Sequence, residues 1–166
     1  MGKRINQFAT RRVAKSHDIT PAMNYSSVEI RTEGEKFYNI TADVQRGLQR
    51  IVEGAESAVV KHGVLHLFTT HTSCALTISE AFDPSAADDM ASFLGHLAPP
   101  RLPFITHTSE GLDDSPSHMK SILLQQSLGI IVESGKMVLG QWQGIYLAEF
   151  RHSPKKRTVL LKFIAG

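Results

Sequence analysis

A single cysteine, Cys74, leaves no partner for an intramolecular disulfide and fits a reducing compartment, so the cytoplasm is the expected location. No stretch approaches the roughly eighteen uninterrupted apolar residues of a membrane-spanning helix, and no membrane partner is expected. The N-terminus carries no apolar segment of the secretory kind, and Asn6 stands where a myristoylation sequence needs Ser or Thr. Aromatic residues are sparse at 7%, and no stripe of Lys and Arg is interleaved with them, so no nucleic-acid partner is expected. Compact catalytic signatures are missing as well. Ser73 and Ser79 lie in no G-x-S-x-G elbow, no HExxH zinc motif occurs, and no local signature marks Cys74 as a nucleophile.

What remains is a chain of 166 residues, enough for one domain that buries about 70% of its unfolded surface. Residues 1–17 hold five basic and no acidic side chains, so residues 1–24 read as a basic, solvated arm before a folded domain at 25–166. A net charge of +2 hides a pattern. Residues 1–62 carry ten Lys and Arg against seven Asp and Glu; residues 63–118 carry one, Arg101, against seven; residues 119–166 carry seven against two. Five histidines (His66, His71, His96, His107, His118) lie in the acidic middle. That distribution suits a cation at the centre and an anionic ligand at the edges, although a solvated surface accounts for charge runs too.

Periodicity predicts an α+β domain. Residues 25–33 and 36–41 alternate apolar and polar around Glu33-Gly34-Glu35 and predict a hairpin. Thr41 is placed to cap a helix whose apolar positions are Val44, Leu48, Ile51, Val52 and Ala55. "GVLHLFTTHT" and "ALTIS" predict strands; Asp83-Pro84 starts a second helix, and Ser115-Pro116 a third. Four short strands follow ("GIIVE", "KMVLG", "GIYLAEF", "RTVLLKFI"), and their short connections predict an antiparallel meander.

Three clusters carry candidate chemistry. In "GVLHLFTTHTS" the period of two sets His71 at the end of the apolar row Leu65, Leu67, Thr69, either as a hydrogen-bonded rim residue or as a site residue. "THTSEGLDDSPSH" brings His107, Glu110, Asp113, Asp114 and His118 within twelve residues. A helix start disfavours an imidazolium at His118 and keeps the ring in the neutral form that binds metal. In "LGQWQGIYLAEF", Gly140 and Gly144 bracket Trp142, a stacking surface, and Gln143, a donor and acceptor. Arg157 suits bidentate phosphate binding.

Together, "GVLHLFTTHTSCALTISE", the Asp88-Asp89 helix, "ITHTSEGLDDSPSHMKSILL" and "GKMVLGQWQGIYLAEF" followed by Arg157 resemble the YjbQ family, named for a secondary thiamine-phosphate synthase activity. One departure is Ser79-Glu80-Ala81, where the family pattern reads Asn-Glu-Asn. The resemblance implies a mostly antiparallel domain that assembles as a homotrimer. It also implies a reaction that joins hydroxymethylpyrimidine diphosphate to a thiazole phosphate and releases pyrophosphate. The expected site has His71, His107 and His118 on a divalent ion (zinc, magnesium or manganese). Glu80, Asp114 and Arg157 are its catalytic residues, and Ser73, Trp142 and Gln143 contact a small phosphorylated substrate. A non-catalytic trimer that binds metal or a phosphometabolite is the alternative, and a metal-dependent phosphoesterase a third reading.

Overall fold

Burial alternates along most strands as the sequence periodicity requires. The computed structural model describes residues 25–54 and 61–166; the arm expected at residues 1–24, and Ala55, lie outside the described residues. The first half of the chain runs β1 (Ser26–Thr32), β2 (Lys36–Asn39), α1 (Thr41–Glu53), β3 (Gly63–Thr69), β4 (Cys74–Glu80) and α2 (Pro84–Leu97). The second half runs α3 (Asp114–Leu123), β5 (Ser127–Glu133), β6 (Lys136–Met137), β7 (Gln143–Glu149) and β8 (Lys155–Ala165). The architecture is α+β, with three helices and every named strand pair antiparallel.

Two sheets form, one of five strands in the order β1-β8-β3-β5-β6 and one of three in the order β2-β7-β4. Val28, Ile30, Leu65, Leu67, Ile130, Val132, Val159 and Leu161 turn inward from the larger sheet to meet Leu76, Ile145 and Leu147 of the smaller one, with Val44 and Leu48 of α1. The other face of the smaller sheet is covered by α2, where Leu94 packs on Phe37, Ala75, Tyr146, Ala148 and Phe150. β7 is therefore buried on both faces, which is why "GIYLAEF" shows no clean alternation. On α2, Leu94 is buried while Phe93 and Leu97 stand exposed.

Three local expectations are corrected. β1 and β2 form no hairpin: β1 pairs with β8 and β2 with β7, so the chain changes sheets at Gly34. Among the described residues, only β5 and β6 make a hairpin, turned by Ser134 and Gly135 at φ 50° and 76°. The predicted meander breaks because β7 crosses to the other sheet and β8 returns between β1 and β3. Thr41 begins α1 rather than capping it; its Oγ1 donates to Asn39 Oδ1 at 2.7 Å and accepts from the Ile145 amide at 2.8 Å, tying helix to sheet. At α2 the prediction holds: Asp83 caps, accepting from the Ser85 amide at 2.9 Å, and Pro84 opens the helix.

Candidate metal centre

Asp113 and Asp114 at the start of α3 build the site. An acid at a helix start ordinarily caps unpaired N–H groups, but the Asp113 side chain makes no cap bond here. Its Oδ2 instead accepts from Arg151 Nε at 3.1 Å and from the His152 amide at 2.9 Å. Burial pushes the Asp113 carboxyl up, yet these donors outweigh it and hold the group below the usual range. The helix begins at Asp114 with Asp113 in the cap position, rather than at Pro116 with Ser115 as the expected cap, and Pro116 takes the third helical position, where its missing N–H is harmless.

Asp114 is buried, at 1% exposure. Its Oδ1 accepts from Arg151 Nη1, while Arg151 Nη2 donates to the Glu110 carbonyl at 2.8 Å. One guanidinium thus fastens both carboxylates and the loop before them. Asp114 Oδ2 is left without a hydrogen-bond partner.

Two imidazoles stand beside that carboxylate, one against each oxygen. His118 lies four residues on from Asp114, one turn along the same helix face. Its Nδ1 sits 2.9 Å from the Thr72 carbonyl, to which it donates. That assigns the proton to Nδ1 and leaves Nε2 with a bare lone pair, 3.5 Å from Asp114 Oδ1. His107 brings Nε2 to 2.7 Å from Asp114 Oδ2, at ion-pair distance but without hydrogen-bond geometry. The two rings are 5.6 Å apart between centroids. Donor atoms of His107, Asp114 and His118 all lie within 4.8 Å of one another. A buried carboxylate oxygen without a partner costs about 1–3 kcal/mol or more, and a cation would remove that cost. Two nitrogens and one oxygen suit a divalent transition ion.

His71 does not join this set. Its Nε2 accepts the Thr158 amide at 3.0 Å, so the ring is engaged with β8. Burial, then the Arg157 guanidinium, lower its pKa, and Glu149 opposes them. His71 and His118 do share a groove of about 690 Å³, walled by Phe68, Thr69, Ser121 and Ile122 and mostly apolar. The quoted hydroxyl-rich stretch after β3 is thus a groove wall, and its histidine a lining residue.

Arg157 and Ser73 belong to a buried network. Glu149 accepts from both Nε and Nη2 of Arg157 at 2.6 Å, from Thr32 Oγ1 at 2.9 Å, and from the Arg151 amide at 2.9 Å. Arg157 Nη2 also donates to Ser73 Oγ at 2.9 Å. The Nε–Nη2 edge of Arg157, the residue expected to bind phosphate, is engaged by Glu149 beneath the surface. Cys74, buried beside Thr69 Oγ1 at 3.4 Å, has its thiol pKa raised by burial and is no nucleophile.

Glu80, Trp142 and Gln143 lie at the other end of the β4–β7 ladder, where Glu80 pairs with Gln143 and Cys74 with Glu149. Six residue steps along β4 separate the two ends by roughly 20 Å. Each has a local task. Glu80 Oε1 accepts the Phe82 and Asp83 amides at 3.0 and 3.3 Å, Gln143 Oε1 accepts the Gly140 amide at 2.7 Å, and Trp142 stacks on Phe82. Within one chain, Glu80, Trp142 and Gln143 are therefore apart from the metal cluster, whereas Ser73 stands beside Thr72 at the near end. Arg151, which orients the cluster, was counted in the sequence only as one basic residue among several. Its partners stand 37 and 38 residues upstream, and no local pattern announces them.

Residues 26–166 match the family model described as UPF0047 protein YjbQ-like. The chain belongs to the YjbQ (UPF0047) family. UPF0047 protein sll1880 of Synechocystis is 36% identical over 132 residues, covering 80% of this chain and 85% of that one. UPF0047 protein MJ1081 of Methanocaldococcus jannaschii is 40% identical over 114 residues, 69% and 79% of the two chains. A crystal structure of the conserved hypothetical protein TT1486 from Thermus thermophilus superposes with a TM-score of 0.71 at 36% identity, covering 84% of this chain and 99% of that one. A YjbQ/UPF0047 structure from Clostridium acetobutylicum gives 0.71 at 31% identity, with the same coverage. These YjbQ relatives share the fold, and their descriptions name no reaction. The matched span contains every residue of the His107, Asp114 and His118 cluster.

Proposed function

We propose that this YjbQ-family chain is a metal-assisted transferase of small phosphorylated molecules, with thiamine-phosphate synthase activity as a secondary reaction. The observation that carries the reading is the unpartnered, buried Asp114 Oδ2, with two imidazoles beside its carboxylate. His107, Asp114 and His118 would hold the ion, and two nitrogen donors favour zinc or manganese over oxygen-seeking magnesium. Such an ion, when bound, supplies a Lewis acid that takes up negative charge on a departing diphosphate. The chain's own residues prepare for this. Thr72 fixes the His118 tautomer, Arg151 holds Asp114 Oδ1 so that Oδ2 is left facing His107, and the groove beside His118 offers an apolar wall to a bound ring. In the reaction implied by the family resemblance, the carbon–oxygen bond to diphosphate breaks, a carbon–nitrogen bond to the thiazole forms, and pyrophosphate leaves.

A second reading, a non-catalytic binder of metal or phosphometabolite, draws support from the distance between the cluster and Glu80, Trp142 and Gln143. A homotrimer accompanies either reading. Its support is the outer face of the five-stranded sheet, where Val64, Phe68, Ile131 and Ile164 are exposed. The deciding assay follows thiamine phosphate from both precursors with zinc or manganese, with chelator, and with His118→Ala. Product that appears only in the metal-loaded parent supports the transferase. Tight metal binding without product supports the binder.

A further inference from the structure

Arg101 is the one Lys or Arg among residues 63–118, a segment with seven acids. A cation so placed ordinarily pairs with a neighbouring carboxylate. The nearby Glu110, Asp113 and Asp114 are instead engaged by Arg151, and Arg101 makes no ion pair among the described residues. Its backbone sits at φ 65°, a left-handed conformation unfavourable for a residue with a side chain. Both features isolate a positive charge beside the cluster. Arg101 lines a cavity of about 120 Å³ together with His107, Thr108, Gly111 and Ser115. That space is on the scale of one tetrahedral oxyanion. Leu102, Ile105 and Leu112 make most of its wall apolar, and the polar groups set into that wall are a guanidinium, the His107 ring and two hydroxyls, with no carboxylate. The larger, mostly apolar groove opens on the His118 side of the same cluster.

We infer that the Arg101 cavity is the phosphate subsite of the substrate, with the fork of Arg101 clamping two oxygens and the Thr108 and Ser115 hydroxyls donating to the others. The ligand is then a small phosphate ester whose apolar or aromatic body lies in the His118 groove and whose phosphate lies beyond His107. This deepens the metal-site reading above and rests on it.

The test uses the full chain loaded with Mn²⁺, whose binding is first measured by electron paramagnetic resonance. Methyl phosphate is then titrated and its ³¹P relaxation followed, with acetate as the carboxylate competitor. Saturable relaxation enhancement is expected. Arg101→Ala should weaken methyl phosphate binding about tenfold or more with Mn²⁺ affinity unchanged, Arg101→Lys should fall between, and acetate should compete poorly. Arg101→Gly relieves the left-handed backbone and should fold at least as stably, so its loss of phosphate binding separates the effect from folding. Phosphate binding by Arg101→Ala equal to the parent, efficient competition by acetate, or bound Mn²⁺ without ³¹P enhancement would each overturn the subsite. If the parent binds no Mn²⁺, the metal reading fails. The subsite is then judged on metal-free chain by the Arg101 Nε–H resonance, which either shifts saturably with phosphate and upholds it or stays fixed and refutes it.

Discussion

Arg151 holds two carboxylates and a loop carbonyl with a single planar fork, and that geometry decides which Asp114 oxygen is free for a metal. Arg151→Lys keeps the charge but loses the fork. It should weaken zinc or manganese binding about 10–100-fold, as removal of a ligand-orienting partner does, measured by calorimetric titration. Arg151→Ala leaves the buried Asp114 and the half-buried Asp113 without a counter-charge and should also cost roughly 3–5 kcal/mol of stability in urea unfolding. Acid sensitivity also arises at single residues. The folded pKa of His71 lies below its ordinary 6.5, because burial and then Arg157 disfavour the imidazolium against the pull of Glu149. Below pH 6.5 the unfolded chain binds a proton that the folded one refuses, so stability falls with pH until the folded pKa is passed. Burial raises Glu149, but its hydrogen bonds from Arg157, Arg151 and Thr32 bring the folded pKa below the ordinary 4.5. Its contribution is present above 4.5 and is lost as pH falls through the folded value. Urea midpoints should therefore decline in two stages on acidification, and His71→Gln should flatten only the first.

At the scale of elements, the β4–β7 ladder is held close by Gly144. A Cβ there would stand 2.5 Å from the Ala81 Cβ and 3.2 Å from both Asn39 Nδ2 and Thr41 Oγ1. None of these atoms ends a long flexible side chain, so the strand itself must move. Gly144→Ala should destabilise by about 1–3 kcal/mol in chemical denaturation, although a strand glycine is replaced. The bracket of glycines around Trp142 and Gln143 is thus explained at Gly144 by close approach of neighbouring elements. The start of α3 makes a related point. Moving it from Pro116 to Asp114 brings Asp114 into the helix four residues before His118, which puts ligand and carboxylate on one face.

Across the whole molecule, the larger sheet has one covered face and one apolar open face, so the chain alone leaves Val64, Phe68, Ile131 and Ile164 in water. As a trimer it should sediment at three times its 18.3 kDa monomer mass. Phe68→Asp combined with Ile131→Asp should yield monomers with unchanged circular dichroism, measured by analytical ultracentrifugation. Retention of a trimer by that double variant would place the interface elsewhere.

The sequence by itself determined most of the strands and helices, the Asp83-Pro84 helix start, and the one-turn spacing of Asp114 and His118. These depend on near neighbours: periodicity along one element, a cap two residues from its donor, ligands one helical turn apart. Only the tertiary structure decided that β1 joins β8 rather than β2, that Arg157 is neutralised by Glu149, that Arg151 orients Asp114, and that His71 is held by β8 outside the ligand set. A period of two says that a face is buried but not which strand covers it. A charged side chain likewise does not show in sequence which distant partner the fold will bring within 3 Å.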